Sequence, residues 1–181
     1  MKYREEIVLR NGEVCLLKQG EAQDAEEVLR SFLLAHGETE FLATYPEESA
    51  FTPESERAFL QRQETSENAV ELCAFVGGKV VGTAGVLPVG MQEKLRHRAV
   101  FGVSVEREHW GKGIGRALTA ACIECAKRAG YLQLELEAVR ENERAVALYQ
   151  SFGFIVCGSN PKGFRTRSGR FQELVSMRLE L

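Results

Sequence analysis

The sequence predicts a single α/β domain built on a central mixed sheet, and three observations carry that reading. Apolar residues alternate at period two in several short stretches, the clearest being Ala99, Phe101, Val103 and Val105. Other stretches space them by three and four, as in Ile114, Leu118, Ala121, Cys122, Cys125 and Ala129. Both kinds occur in a chain of 181 residues with no repeat, low-complexity tract or linker, so residues 1–181 fit one domain with a sizeable core. The expected sheet has about six or seven strands with helices on both faces.

Taken in order, residues 6–10 and 13–18 flank Asn11-Gly12, a type I′ turn signal, and give an N-terminal hairpin over 6–18. Asp24 is placed to cap a helix with Ala25, Val28, Leu29, Phe32 and Leu33 on one face, and His36-Gly37 ends it. The segment 38–51 keeps no period and mixes Glu38, Glu40, Glu47 and Glu48 with Phe41, Tyr45 and Phe51. Thr52-Pro53-Glu54 then reads as N-cap, first-turn proline and acid of a helix reaching about Thr65. Residues 69–76 and 79–87 make a hairpin around Gly77-Gly78, and a loop near Pro88-Val89-Gly90 leads to the strand 99–105. The helix opening at Ile114 ends in Lys127, Arg128 and Gly130, a positive last turn followed by a residue free to take positive φ. Leu132, Leu134, Leu136 and Ala138 alternate as a strand. Asn142 stands where an N-cap belongs, and Ala145, Leu148 and Phe152 form the next helical stripe, closed by Gly153. Residues 155–157 read as a short strand, 160–170 as a basic loop with Lys162, Arg165, Arg167 and Arg170, and 171–179 as a final strand paired with the one before.

Composition narrows the functional classes. A net charge of −3 argues against nonspecific nucleic-acid binding, which needs a basic face. No apolar run reaches membrane-spanning length and the first residues lead into no signal-peptide core, so the expectation is a cytoplasmic protein with no membrane partner. Five cysteines without framework spacing suggest reduced thiols. Cys122 and Cys125 have C-x-x-C spacing but lie mid-helix on the apolar stripe, which favours packing over redox chemistry. No second Cys or His pair offers a metal site, so none is expected.

The chemistry concentrates between Val103 and Leu118. An alternating strand turns through Gly111, Gly113 and Gly115 directly into a helix. Such a turn leaves first-turn amides unpaired and aimed outward, and glycine lets an anion approach without a Cβ in the way. Lys112 and Arg116 add positive charge. A P-loop would need Lys followed by Ser or Thr, and a dinucleotide fingerprint would need G-x-G-x-x-G, and neither fits G-x-G-x-G. A second stretch carries independent information: Asn142, Ala145, Leu148, Tyr149, Gly153 and Phe154 match N-x-x-A-x-x-L-Y-x-x-x-G-F.

Together these stretches resemble the GNAT superfamily of N-acetyltransferases over residues 99–158. The first resembles its pyrophosphate motif, Arg/Gln-x-x-Gly-x-Gly/Ala, aligned at Trp110-Gly111-Lys112-Gly113-Ile114-Gly115, with Trp110 in place of Arg or Gln. The resemblance implies a sheet whose two central parallel strands splay, acetyl-CoA as co-substrate, and a cofactor-binding core over 99–158. It implies that Gly111, Lys112, Gly113, Ile114, Gly115 and Arg116 hold the pyrophosphate. The backbone of Val103, Ser104 and Val105 would pair with the pantetheine, and Asn142 and Tyr149 would also meet the cofactor. Tyr149 is then the candidate general acid, since a phenol near pKa 10 stays protonated at neutral pH. The base is open among Glu40, Glu47, Glu48, His97 and an ordered water; flanking Arg96 and Arg98 would lower the His97 pKa. The segment 38–51 would either cover the acceptor end, where it would suit a cationic amine, or form a solvated acidic loop with its aromatics tucked beneath. A homodimer is compatible with the reading. The competing class is a non-catalytic acetyl-CoA-binding sensor or interaction module.

Overall fold

The computed structural model describes residues 2–181. Eight strands form one mixed sheet, in the spatial order β1-β2-β3-β4-β5-β6-β8-β7. They are β1 (Arg4–Val8), β2 (Val14–Gln19), β3 (Val70–Val76), β4 (Lys79–Pro88), β5 (Arg98–Val105), β6 (Gln133–Val139), β7 (Ile155–Arg165) and β8 (Phe171–Glu180). The helices are α1 (Ala25–Gly37), α2 (Pro53–Thr65), α3 (Ile114–Arg128) and α4 (Glu143–Ser151). The count exceeds the expected six or seven because both terminal hairpins join the sheet and become its edges.

The alternation read in the sequence divides the strands between two layers. Ala99 and Phe101 of β5, Leu134 and Leu136 of β6, and Val175 and Met177 of β8 pack with Leu118, Cys122 and Cys125 of α3 and Tyr149 of α4. On the other face, Ala25 and Val28 of α1 and Leu60 of α2 pack with Cys73 and Val80. Cys122 and Cys125 are fully buried, in keeping with packing. Phe154, Leu17 and Leu72 are among the largest sealed side chains, each worth roughly 1.5–3 kcal/mol of burial.

Three local expectations change. The first hairpin does not turn as type I′, which needs positive φ at both central residues. Only Gly12 is left-handed (φ 86°), and Gly12 N–H donates to Leu9 O at 2.9 Å, so the loop is a residue longer. Gly77 and Gly78, at φ 57° and 82°, do make that turn. Asp24 does not cap α1 with its side chain; its carboxylate accepts from Glu21 N–H at 3.0 Å and from Lys18 Nζ at 2.7 Å. The basic loop expected at 160–170 is mostly strand. β7 runs to Arg165, with register breaks at Val156/Gly158 and Asn160/Phe164 that hide its period, and Pro161 is tolerated because β7 is an edge.

The feature that positions the site is the pairing of β5 with β6. These parallel strands share only Arg98↔Gln133, Ala99↔Leu134 and Val100↔Glu135, although both continue. The bidentate pair between Arg98 and Glu135 pins that closed end. From Phe101 and Leu136 onward the strands diverge, leaving a fork in the middle of the sheet.

Candidate functional site

Beyond the C-terminal end of β5 the chain makes the turn that the glycines announced. Gly111 and Gly113 take φ of 81° and 106°, a region that β-carbons disfavour. Gly113 is the N-cap of α3 and has no capping side chain. The first backbone bond into the helix is Ala117 N–H to Gly113 O at 3.0 Å. Every amide from Gly111 to Arg116 therefore lacks a partner among the described residues, at the positive end of a 15-residue helix. Gly115 serves packing, since a β-carbon there would lie 3.8 Å from Leu148 and 3.9 Å from Val105.

Lys112 and Arg116, expected beside this nest, already have partners. Lys112 Nζ lies 3.4 Å from Glu13 Oε2 and from His109 Nδ1. Arg116 donates to Ser151 Oγ at 2.8 Å and stacks on Phe152 at 4.9 Å. The basic residue that sequence reasoning missed is Arg144, on the first turn of α4. Its guanidinium sits 5.7 Å over the Trp110 ring and 4.0 Å from where a Gly111 β-carbon would be. Arg107 stacks on the same ring at 5.6 Å. Their position after the Asn142 cap and before the glycine turn was the available signal.

The fork edge of β5 can be read atom by atom. Glu106 N–H donates to Val81 O on β4, so alternation turns Glu106, Ser104 and Gly102 toward β4, and Phe101, Val103 and Val105 toward the fork. Ser104 corrects the expectation for the backbone: its carbonyl faces β4, 2.8 Å from where a Gly82 β-carbon would stand. Val105 O accepts the Trp110 indole N–H at 2.6 Å. Val103 N–H and C=O and Val105 N–H are left facing the gap.

Asn142 caps α4, its Oδ1 accepting from Ala145 N–H at 3.3 Å. Two turns on, Tyr149 is 8% exposed and packs edge-on to Phe101, the first unpaired residue of the fork, with ring centroids 6.1 Å apart. Its hydroxyl bonds to no described residue. Burial pushes its pKa up to about 12, above the ordinary phenol value assumed from sequence.

The candidate bases separate. His97 is exposed and precedes β5, about 20 Å along the strand from Val103, so it lies at the closed end of the sheet. Glu40, Glu48 and Tyr45 line a cleft of about 210 Å³ with Arg165 and Gln172 of the last hairpin. Glu48 is occupied in part by Tyr45 N–H at 2.8 Å. Glu47 pairs with Arg167, whose guanidinium also lies 3.8 Å from the Tyr45 ring centroid. Gln172, another residue not found from sequence, is 1% exposed, and its Nε2 has no partner. The described residues contain no cluster of three or more metal-ligating side chains, and no helix among them is long and apolar enough to cross a membrane.

Comparison with known proteins bears on this geometry. N-acetyltransferase 8B from Homo sapiens is 39% identical over 84 residues, a match covering 45% of this chain and 37% of that relative, so the chain spans well under half of that protein. An acetyltransferase of the GNAT family from Streptococcus pneumoniae superposes with a TM-score of 0.87 at 29% identity, covering 92% of this chain and 99% of that one. The yncA protein of Salmonella typhimurium, a putative acetyltransferase solved with acetyl-CoA, shares the fold at TM-score 0.80 and 22% identity, covering 91% and 92%. The sequence model described as the acetyltransferase (GNAT) family matches residues 34–154, two thirds of the chain and both halves of the fork, and the chain belongs to that family.

Proposed function

We propose that this protein is an acetyl-CoA-dependent N-acetyltransferase that moves an acetyl group to a primary amine of a small molecule or peptide. One observation carries the reading: a run of unpaired amides from Gly111 to Arg116 stands at the mouth of a fork that opens at Phe101. Such a run suits a pyrophosphate, and the open edge of β5 suits an amide-bearing arm such as pantetheine. Relatives named as N-acetyltransferases and a fold neighbour solved with acetyl-CoA support the same assignment. The reduced cysteines keep the cytoplasm as the proposed location.

In this reading Arg144 adds charge at the amide nest, and Asn142 meets the cofactor with its amide nitrogen. Val103 or Val105 N–H polarises the thioester carbonyl, which gathers negative charge as the amine attacks. The new C–N bond forms as the C–S bond breaks, the electron pair leaves on sulfur, and the nitrogen proton that is shed restores the phenol that protonates the sulfur. Tyr149 gives its proton to that sulfur; burial against Phe101 keeps the phenol protonated across the whole working range of pH. Glu40, Glu48 and Tyr45 offer a cationic amine its approach.

Free-thiol release from acetyl-CoA in the presence of an amine panel tests the proposal, with thermal stabilisation by CoA as a parallel readout. Turnover with at least one amine is expected. Stabilisation by CoA without turnover on any amine would instead support a cofactor-binding module.

A further inference from the structure

The α1/α2 face of the sheet carries a feature that the assignments above leave unused. Glu71 on β3 lies opposite Gly85 on β4, and Gly85 lies opposite Gly102 on β5, so the three share one face in a row across the sheet. A β-carbon at Gly85 would stand 2.5 Å from Glu71 Oε2, so the carboxylate is laid across the next strand in the space that glycine vacates. Gly102 is exposed, with no heavy atom within 4 Å of its own β-carbon position. It is two residues past the last pair of β5 with β6, at the crotch of the fork. The two glycines floor a trough that runs from Glu71 to the place where the strands part. Across the gap, Glu137 of β6 lies in solvent and accepts from Ser176 Oγ at 3.2 Å.

We propose that Glu71 is the proton acceptor for the incoming amine, which lies over Gly85 and Gly102 and attacks through the fork from the α1/α2 face. This rests on the acetyl-transfer reading above. The ammonium nitrogen gives one proton to Glu71, directly or through one water, and the neutral amine forms the C–N bond. Thiolate departs with the C–S electron pair and takes the Tyr149 proton. The second nitrogen proton restores the phenol, and Glu71 releases its proton to solvent.

The surroundings of Glu71 suit a base. Desolvation pushes its pKa up to about 8, Thr83 hydrogen-bonds to it and opposes that rise, and the like charge of Glu56 on α2 adds to it. Cys73, on the same strand and face, is sealed and protonated, its own pKa raised by burial. No cation pairs with Glu71 among the described residues. Its side chain still keeps partial contact with solvent, which gives a proton a way out. Glu40, Glu47 and Glu48, by contrast, belong to the segment between α1 and α2, which meets Arg107 just past β5 through Glu38 and the turn of the last hairpin through Arg165 and Gln172.

The test uses the full chain with spermidine, lysine, tryptamine and an alanine-initiated tripeptide as acceptors, and methoxyamine as a nucleophile already neutral at pH 7. Glu71→Gln replaces the acid by its neutral isostere. It should cut kcat/KM for the ammonium acceptors about a hundredfold. Methoxyamine, after subtraction of the uncatalysed rate, should change less than about threefold, because no proton must first be removed. CoA stabilisation should be unchanged. Gly85→Ala should displace the carboxylate and reproduce the pattern, while Glu56→Gln should move the acidic limb of kcat/KM to lower pH. Equal losses with both nucleophile types, or a Glu71→Gln profile like wild type, would overturn the assignment. Wild-type protein that acetylates none of these amines would overturn both this inference and the acetyl-transfer reading.

Discussion

The two ends of the proposed substrate path are built from different materials. At the amide nest the donors are main-chain groups from Gly111 to Arg116, consecutive in sequence and fixed by the cap of α3. At the cleft proposed for the acceptor, side chains from distant segments meet: the Arg167 guanidinium lies 3.8 Å from the Tyr45 ring centroid and pairs with Glu47, while the Arg167 main-chain N–H donates to Tyr45 Oη at 3.1 Å across 122 residues. A backbone site is specified by conformation, and its geometry costs little entropy once the helix has formed. A side-chain site depends on exposed long side chains being held together, and exposed ion pairs contribute only about 0–1 kcal/mol. Damage to the first should therefore be severe and specific, whereas damage to the second should be graded and sensitive to salt.

The largest effect expected is at the nest. Gly113→Val places a β-branched residue at φ 106°, and relieving that strain turns the amides away from a common centre. The CoA dissociation constant should rise about a hundredfold, while the fold, with no heavy atom within 4 Å of the new β-carbon, should survive. Isothermal titration beside a melting curve separates the two. Unchanged affinity in a folded variant would remove the loop from the site.

Next comes Tyr149→Phe, which deletes one oxygen from a ring held by Phe101 and Phe154. The expected loss in kcat is about ten- to a hundredfold, with CoA affinity changed by less than about tenfold. With the phenol pKa near 12, the wild-type kcat profile should show no alkaline fall through pH 10. A fall centred near pH 9 would point to another acid.

At the proposed acceptor end the effects should be small. Arg167 already offsets the Glu47 charge, so Glu47→Gln alone should move KM for a cationic amine less than about twofold. Arg167→Ala exposes that charge and should lower KM about threefold at low salt, less at 0.5 M, where screening is stronger. Equal KM values for wild type and Arg167→Ala in a salt series would leave the ion pair with a purely structural role.

An effect of another kind concerns stability against pH. A carboxyl whose folded pKa is raised from 4.5 to about 8 favours the folded state most when protonated. Its contribution is fully present below pH 4.5 and is lost as pH climbs toward 8. Urea midpoints of wild type should fall relative to those of Glu71→Gln across that window. Parallel curves would mean that the carboxyl is solvated in the native state.

These contrasts also explain what could be read from the sequence. The nest was legible because its determinants are local: Gly111, Gly113 and Gly115 set the turn, and the stripe from Ile114 to Ala129 sets the helix. Thr52 was equally clear, and it does cap α2. Asp24 was not, because Lys18 competes for its carboxylate from a neighbouring strand. β7 past Cys157 is not announced in the sequence, because two register breaks erase its alternation. Arg144, Gln172 and Glu71 were invisible for a related reason. Each gains its meaning from a cross-strand or cross-loop neighbour, and Glu71 reads as an ordinary strand residue until register sets it beside Gly85.

In the proposed function, main-chain amides and an open strand edge bind the cofactor. Residue-resolved amide hydrogen exchange, with and without CoA, tests it most directly. Protection should rise at Gly111–Arg116 and at Val103 and Val105, while Ser104, already turned to β4, and the Gly77-Gly78 turn should not change. CoA binding that leaves exchange at Gly111–Arg116 unaltered would contradict the account.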